Sequence, residues 1–127
     1  MTPLSYPAFA ALACGQRASM TRVFRHADLA VWCDLAAVEA FPDQVPEPLI
    51  SGLFSNLLGT QLPGYGTMYL KQTLDFSAQA ALGEVLTAEV IVTRLRPDKA
   101  LVDLDTRCTG KGGRDIGRGQ ALVLFRQ

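Results

Sequence analysis

Few side chains in this 127-residue chain could carry acid–base or nucleophilic chemistry. Two acids, Glu39 and Asp43, lie in an irregular, proline-containing segment where a general base could stand; solvated loop carboxylates are the competing interpretation. The single histidine, His26, sits at the entry to a helical pattern and is better explained as a surface residue at a helix start than as a catalytic group. Ser55 has no histidine-backed nucleophile motif around it, which argues against a serine hydrolase.

The three cysteines indicate a reducing compartment. Cys14, Cys33 and Cys108 are odd in number, far apart and free of any CxxC spacing, so neither a zinc ribbon nor a thioredoxin motif is predicted. Free thiols of this kind are typical of intracellular proteins. The first 14 residues lack the basic start of a signal peptide, and no apolar run reaches membrane-spanning length. We therefore expect a cytoplasmic protein without a metal or a cofactor.

Charge balance bears on the possible partners. Lys and Arg together number 12, as do Asp and Glu, so nothing favours a nucleic-acid or membrane partner. Hydrophobic residues make up 49% of the chain, which is enough apolar surface for one core. A single domain over residues 1–127 is the simplest organisation, with residues 1–10 as a loose N-terminal arm.

Hydrophobic periodicity predicts the elements that must position these side chains. A three-residue repeat from Ala27 to Val38 predicts a short helix, and a broad apolar face predicts a longer core helix over residues 48–59. Alternating patterns predict strands at 16–25, 67–76, 86–94, 101–108 and 115–126. One strand, two helices and an antiparallel meander favour an α+β hotdog fold, in which the sheet wraps around the core helix.

Two segments resemble the (R)-specific enoyl-CoA hydratases, within the MaoC-like dehydratases. Residues 53–76 read LFSNLLGTQLPGYGTMYLKQTLDF, and residues 83–93 read GEVLTAEVIVT. The resemblance implies a dimer of hotdog domains that binds an acyl thioester of coenzyme A or acyl carrier protein. It implies that water is added to, or removed from, an acyl chain lying along the core helix. A backbone N–H at the start of that helix would polarise the thioester carbonyl.

The same resemblance assigns the substrate-binding residues. It places Ser55 and Leu53 of the core helix in the acyl pocket, with plain helix packing as the alternative for Ser55. The glycine-rich turn that follows would close over the substrate near the dimer interface, which makes Leu62, Gly64 and Tyr65 candidate pocket residues.

The segment that should hold the family's catalytic pair departs from the pattern. The family spaces an Asp and a His as D-x-N-P-x-H after the first helix, and here those positions fall on Val38 and Asp43. We therefore predict a hydratase or dehydratase with an altered active site, in which Glu39 or Asp43 supplies the base. Two alternatives stay open: a non-catalytic acyl-thioester-binding protein or partner subunit of an active MaoC-like hydratase, and a hotdog thioesterase.

Overall fold

The structure is a computed structural model that describes residues 6–39 and 43–127. Its elements are α1 (Pro7–Ala10), β1 (Arg17–Val23), α2 (His26–Ala36), α3 (Glu47–Thr60), β2 (Thr67–Phe76), β3 (Val85–Arg96), β4 (Leu101–Thr109), a 3-10 turn (Lys111–Gly113) and β5 (Asp115–Phe125). The five strands form one antiparallel sheet in the order β1-β3-β4-β5-β2. The predicted hotdog fold is confirmed.

The core helix α3 forms because its apolar residues recur at helical spacing and meet one face of the sheet. Its buried side chains are Ile50, Leu53, Phe54, Leu57 and Leu58. Pro46 occupies the N-cap position with an extended backbone, and a second proline fits the first turn because its missing N–H would have no partner there. The helix starts one residue earlier and ends one residue later than the predicted 48–59.

The central strands contribute the other half of the core. In β3 and β4, alternate residues are buried, as expected for a sheet with one covered face. Val90, Val102 and Leu104 are fully buried, and they belong to the same core cluster as Phe54. The predicted strands match β2 at both ends and the others to within a few residues.

The N-terminal segment differs from the prediction of a loose arm. Residues 7–10 form the single turn of α1, and Phe9 is buried in the core cluster. The Phe9 N–H also donates a hydrogen bond of 2.9 Å to the carbonyl of Gln127. The prediction is wrong for residues 7–10, because the buried side chain of Phe9 and the hydrogen bond from its N–H hold this turn against the core. Residues 1–5 lie outside the described residues.

The strand β2 forms one edge of the sheet. Within the described residues it pairs with β5 alone, so its other edge carries unpaired backbone groups. Three large apolar side chains on or just before this strand are well exposed: Tyr65, Met68 and Leu70. An exposed apolar edge of this kind is typical of a surface that pairs with another chain.

The carboxylate of Glu84 links the connection between β2 and β3 to the connection between β4 and β5. It accepts hydrogen bonds from the N–H groups of Ala81 (3.0 Å) and Lys111 (2.8 Å), and Arg114 donates to both of its oxygens at 2.8 Å. Its side chain is only 8% exposed. Burial raises the pKa of this carboxyl, but the two backbone N–H groups and Arg114 together outweigh burial and lower the pKa.

We expect Glu84→Gln to reduce the free energy of unfolding at pH 7 by about 1–3 kcal/mol, because it removes charge-assisted hydrogen bonds. The pKa of Glu84 is lower in the folded state, so its stabilisation is present above the unfolded pKa of about 4.3 and is lost as pH falls through the folded value. Urea denaturation between pH 7 and pH 3 should therefore show a smaller acid loss in the variant than in the wild type.

The matched control is Glu89→Gln. Glu89 lies 3.6 Å from Arg17 in a partly exposed ion pair, which contributes about 1 kcal/mol at most. Equal acid dependence in wild type, Glu84→Gln and Glu89→Gln would contradict a role for the Glu84 hydrogen bonds in acid stability.

Candidate active site

A cleft of about 420 Å³ lies at the N-terminus of α3. The end of α2 and the segment after it form one wall, and the chain leaving β2 forms the other. Much of its lining is apolar: Trp32, Val38, Val45, Ile50 and Phe76. A half-open apolar cleft beside a helix N-terminus suits a ligand with an apolar chain and a polar head.

Backbone pairing fixes the polar part of this cleft. The Val45 N–H donates to the Ala80 carbonyl at 2.8 Å, and Gln44 forms an isolated antiparallel bridge with Ala81. The side chains of Gln44 and Gln79 add a hydrogen bond of 2.8 Å between the two segments. The segment that leads into α3 is thus anchored to the chain that follows β2.

Among the residues that the structure describes, two carboxylates line the cleft, Glu39 and Glu47. Glu39 follows α2, which ends at a left-handed Ala37 with φ of 55°. Glu47 is the first residue of α3, where backbone N–H groups have no partner inside the helix. We did not predict Glu47 from the sequence, because an acid at the start of a helix has an ordinary explanation in helix stability.

The other acid–base candidates lie elsewhere. Asp43 is exposed with φ of 68°, its carbonyl accepts a bond from the Leu82 N–H, and it does not belong to the cleft lining. His26 is exposed at the first position of α2 and is also outside the lining. Val38 does line the cleft and places an apolar side chain where the resemblance puts the family's Asp. Of the two predicted acids, the geometry therefore favours Glu39.

None of the five predicted substrate-binding residues lines the cleft in the single chain. Leu53 and Leu62 are buried in the core, and Ser55 lies on an exposed face of α3. Gly64, with φ of 114°, makes the turn into β2, and Tyr65 is 80% exposed.

The strand β2 carries a second set of polar groups, one of which lies beside Ser55. The hydroxyl of Tyr69 and the side-chain nitrogen of Gln72 are buried, and neither has a hydrogen-bond partner of good geometry among the described residues. Burial raises the pKa of Tyr69, and the nearby Ser55 hydroxyl lowers it by less. On alternating positions of the same strand, Leu74 and Phe76 continue this face towards the cleft. Buried polar groups without partners mark a place where water or a ligand is expected.

The described part of the chain gives little support for a metal site, a cysteine nucleophile or a membrane-spanning helix. No group of three or more His, Cys, Asp or Glu residues could hold a metal ion there. Burial, with a smaller contribution from the charge of Glu84, raises the pKa of Cys108 to about 11, so this residue stays a thiol rather than a nucleophilic thiolate. Over the same residues, no helix is long and apolar enough to cross a membrane.

The chain is similar to known proteins along most of its length, although no protein-family model matches it. It is 38% identical over 126 residues to an (R)-specific enoyl-CoA hydratase of Aeromonas caviae, covering 88% of this chain and 94% of the relative. It is 32% identical over 124 residues to the enzyme of the same name in Rhodospirillum rubrum, covering 87% and 85%. A solved R-hydratase from Pseudomonas aeruginosa superposes with a TM-score of 0.84 at 29% identity, covering 94% of this chain and 85% of that one.

Proposed function

Because the chain belongs to the family of (R)-specific enoyl-CoA hydratases, we propose that it binds acyl thioesters and adds water to, or removes water from, their acyl chains. The observation that carries the proposal is the apolar cleft at the N-terminus of α3, which holds both a carboxylate and a free helix end. The acyl group is carried by coenzyme A or by acyl carrier protein. We infer from the altered segment around Val38 that this hydratase has a changed active site.

The cleft supports the chemistry in two ways. A carboxylate within reach of a bound water can take its proton as the water attacks the acyl chain. The N-terminus of α3 presents unpaired N–H groups and the positive end of the helix dipole, which favour the negative charge that develops on the thioester oxygen.

The acyl chain would run from the cleft between α3 and β2. On the strand, Phe76, Leu74 and Tyr69 mark this direction, and Ser55 stands beside its far end. Ser55 and Tyr69 are then the groups that a longer acyl chain meets.

A non-catalytic role is the second candidate, and one observation favours it. Val38 is apolar and lines the cleft at the position where the resemblance expects the family's Asp. A protein with this substitution can still hold an acyl thioester, or can pair with an active MaoC-like subunit and complete its pocket. Hydration kinetics separate the two candidates.

A homodimer in the cytoplasm completes the proposal. The unpaired edge of β2 and the exposed Met68 and Leu70 support pairing with a second copy of the chain. Three free cysteines support a reducing compartment.

We expect slow hydration of crotonyl-CoA, with a turnover number below the usual range of about 1–10³ per second. Loss of a positioned acid or base lowers rates by about 10²–10⁴-fold, and Val38 cannot replace one. The assay is the fall in enoyl-thioester absorbance, run beside the Aeromonas caviae relative and a protein-free blank.

A parallel measurement of the melting temperature with long-chain acyl-CoA detects binding even when no hydration occurs. A ligand that binds only the folded state raises the melting temperature. Binding with undetectable hydration would favour the non-catalytic candidate. Neither hydration nor a thermal shift with acyl-CoA or acyl carrier protein would contradict the proposed function.

A further inference from the structure

We propose that Glu47 is the catalytic residue that activates water in the cleft, in place of the Asp and His that the family resemblance leads one to expect. The inference rests on the proposed hydratase function and assigns one of its roles. It starts from the observation that Glu47 contributes both a carboxylate and a backbone N–H at the same end of α3.

The backbone around Glu47 leaves a single N–H for a ligand. Pro48 has no N–H, and the Leu49 N–H already donates to the Pro46 carbonyl at 3.0 Å. Among the described residues, no acceptor is paired with the Glu47 N–H. A thioester oxygen at the start of α3 would therefore bind this N–H, and the carboxylate of the same residue would lie beside the bound acyl group.

Glu47 lies on a helix, whereas Glu39, the other carboxylate of the cleft, does not. Catalysis needs the base and the oxyanion donor to be held in a fixed relation, which rigid elements provide better than connections do. Glu47 belongs to α3, whose next turn is anchored in the core by Ile50. Glu39 stands in the connection after α2 and has no such support.

One carboxylate is sufficient for the reaction. The Glu47 carboxylate takes a proton from water as the water oxygen forms a bond to C3 of the 2-enoyl thioester. The C2=C3 π electrons move towards C2 and the thioester carbonyl, whose oxygen accepts the Glu47 N–H. The proton held by Glu47 is then delivered to C2, which restores the carboxylate, and one water has been added with no other reactant.

The competing explanation is purely structural, since an acid in the first helical turn stabilises the helix. A structural role would lower the melting temperature without changing the chemistry of the folded protein. The two roles therefore differ in turnover number and in the pH profile.

The test compares crotonyl-CoA hydration by wild type, Glu47→Gln, Glu47→Asp and Glu39→Gln, with Glu89→Gln on the outer face of the sheet as a distant control. We expect Glu47→Gln to lower kcat by about 10²–10⁴-fold and to lose the acidic limb of the pH profile of kcat/KM. Glu47→Asp should keep that limb at reduced rate. Glu89→Gln should stay close to wild type, and Glu39→Gln should keep the acidic limb. Among the described residues that line the cleft, Glu39 is the other carboxylate, so its variant shows which of the two side chains the acidic limb depends on.

Melting temperatures accompany each variant, and Glu47→Asp keeps the test valid if Glu47→Gln does not fold. A wild-type rate in folded Glu47→Gln, or a loss carried by Glu39→Gln instead, would overturn the role of Glu47 and leave the proposed function standing. A wild-type protein that binds acyl-CoA but hydrates no enoyl thioester would overturn the catalytic role and favour the non-catalytic candidate, whereas one that neither hydrates nor binds would overturn the proposed function as well.

Discussion

Gly119→Ala should abolish the folded sheet or lower its free energy of unfolding by more than about 4 kcal/mol. A Cβ at position 119 would overlap the backbone carbonyl oxygen of Thr73 on the neighbouring strand. Because that oxygen belongs to the backbone, it cannot move aside as a flexible side chain can, and β2 would have to separate from β5. Urea denaturation followed by circular dichroism measures the loss.

Gly52→Ala is the matched control. Gly52 lies on an exposed face of α3, and a Cβ there would meet nothing within 4 Å. Because alanine is favoured over glycine inside a helix, the control should be more stable than wild type by up to about 1 kcal/mol. A folded Gly119→Ala with the stability of wild type would show that β2 and β5 do not approach as closely as the structure indicates.

The double variant Met68→Lys, Leu70→Lys should convert the proposed dimer into a monomer. The two side chains are 58% and 51% exposed in the single chain, on the free edge of β2. Burying one apolar side chain of this size contributes about 1.5–3 kcal/mol, and a symmetric contact uses each residue twice. Lysines on an edge strand oppose pairing by charge as well, so we expect the dissociation constant to rise by at least about 10³-fold.

Sedimentation velocity at micromolar protein concentration measures the change. Val31→Lys is the control, because Val31 is 59% exposed on α2 and not on the edge strand. We expect this control to remain a dimer. A monomeric wild type, or dissociation by Val31→Lys and not by the edge variant, would contradict dimerisation through β2.

The fold could be predicted because its signals are local. The apolar residues of α3 repeat at helical spacing, and those of β3 and β4 alternate, since each element covers one face of the core. The exception is α1, where a single buried side chain, Phe9, docks a segment with no periodicity to reveal it. Its partner, the Gln127 carbonyl, lies at the other end of the chain.

The candidate site was predicted less well because non-local pairing builds it. The bond between Val45 and Ala80 brings together segments that share no sequence pattern, and it places Glu47 and Gln79 on one cleft. Glu39 could be proposed from its segment alone, whereas Glu47 resembled an ordinary helix start. The assignments of Ser55, Leu62 and Tyr65 came from family resemblance, and they stay predictions because none of the three lines the cleft in the single chain.

The strand order also bears on the sequence in which the strands pair during folding. The strands β3, β4 and β5 follow one another in the chain and pair as neighbours, so each pairing closes a short loop at small entropic cost. The outer strands β1 and β2 must instead find β3 and β5 across long stretches of chain, and such non-local contacts form slowly. We therefore expect the meander to form first, so that β2 joins the sheet and presents its free edge only after β5 is in place. The proposed pairing of two copies along this edge would then follow folding.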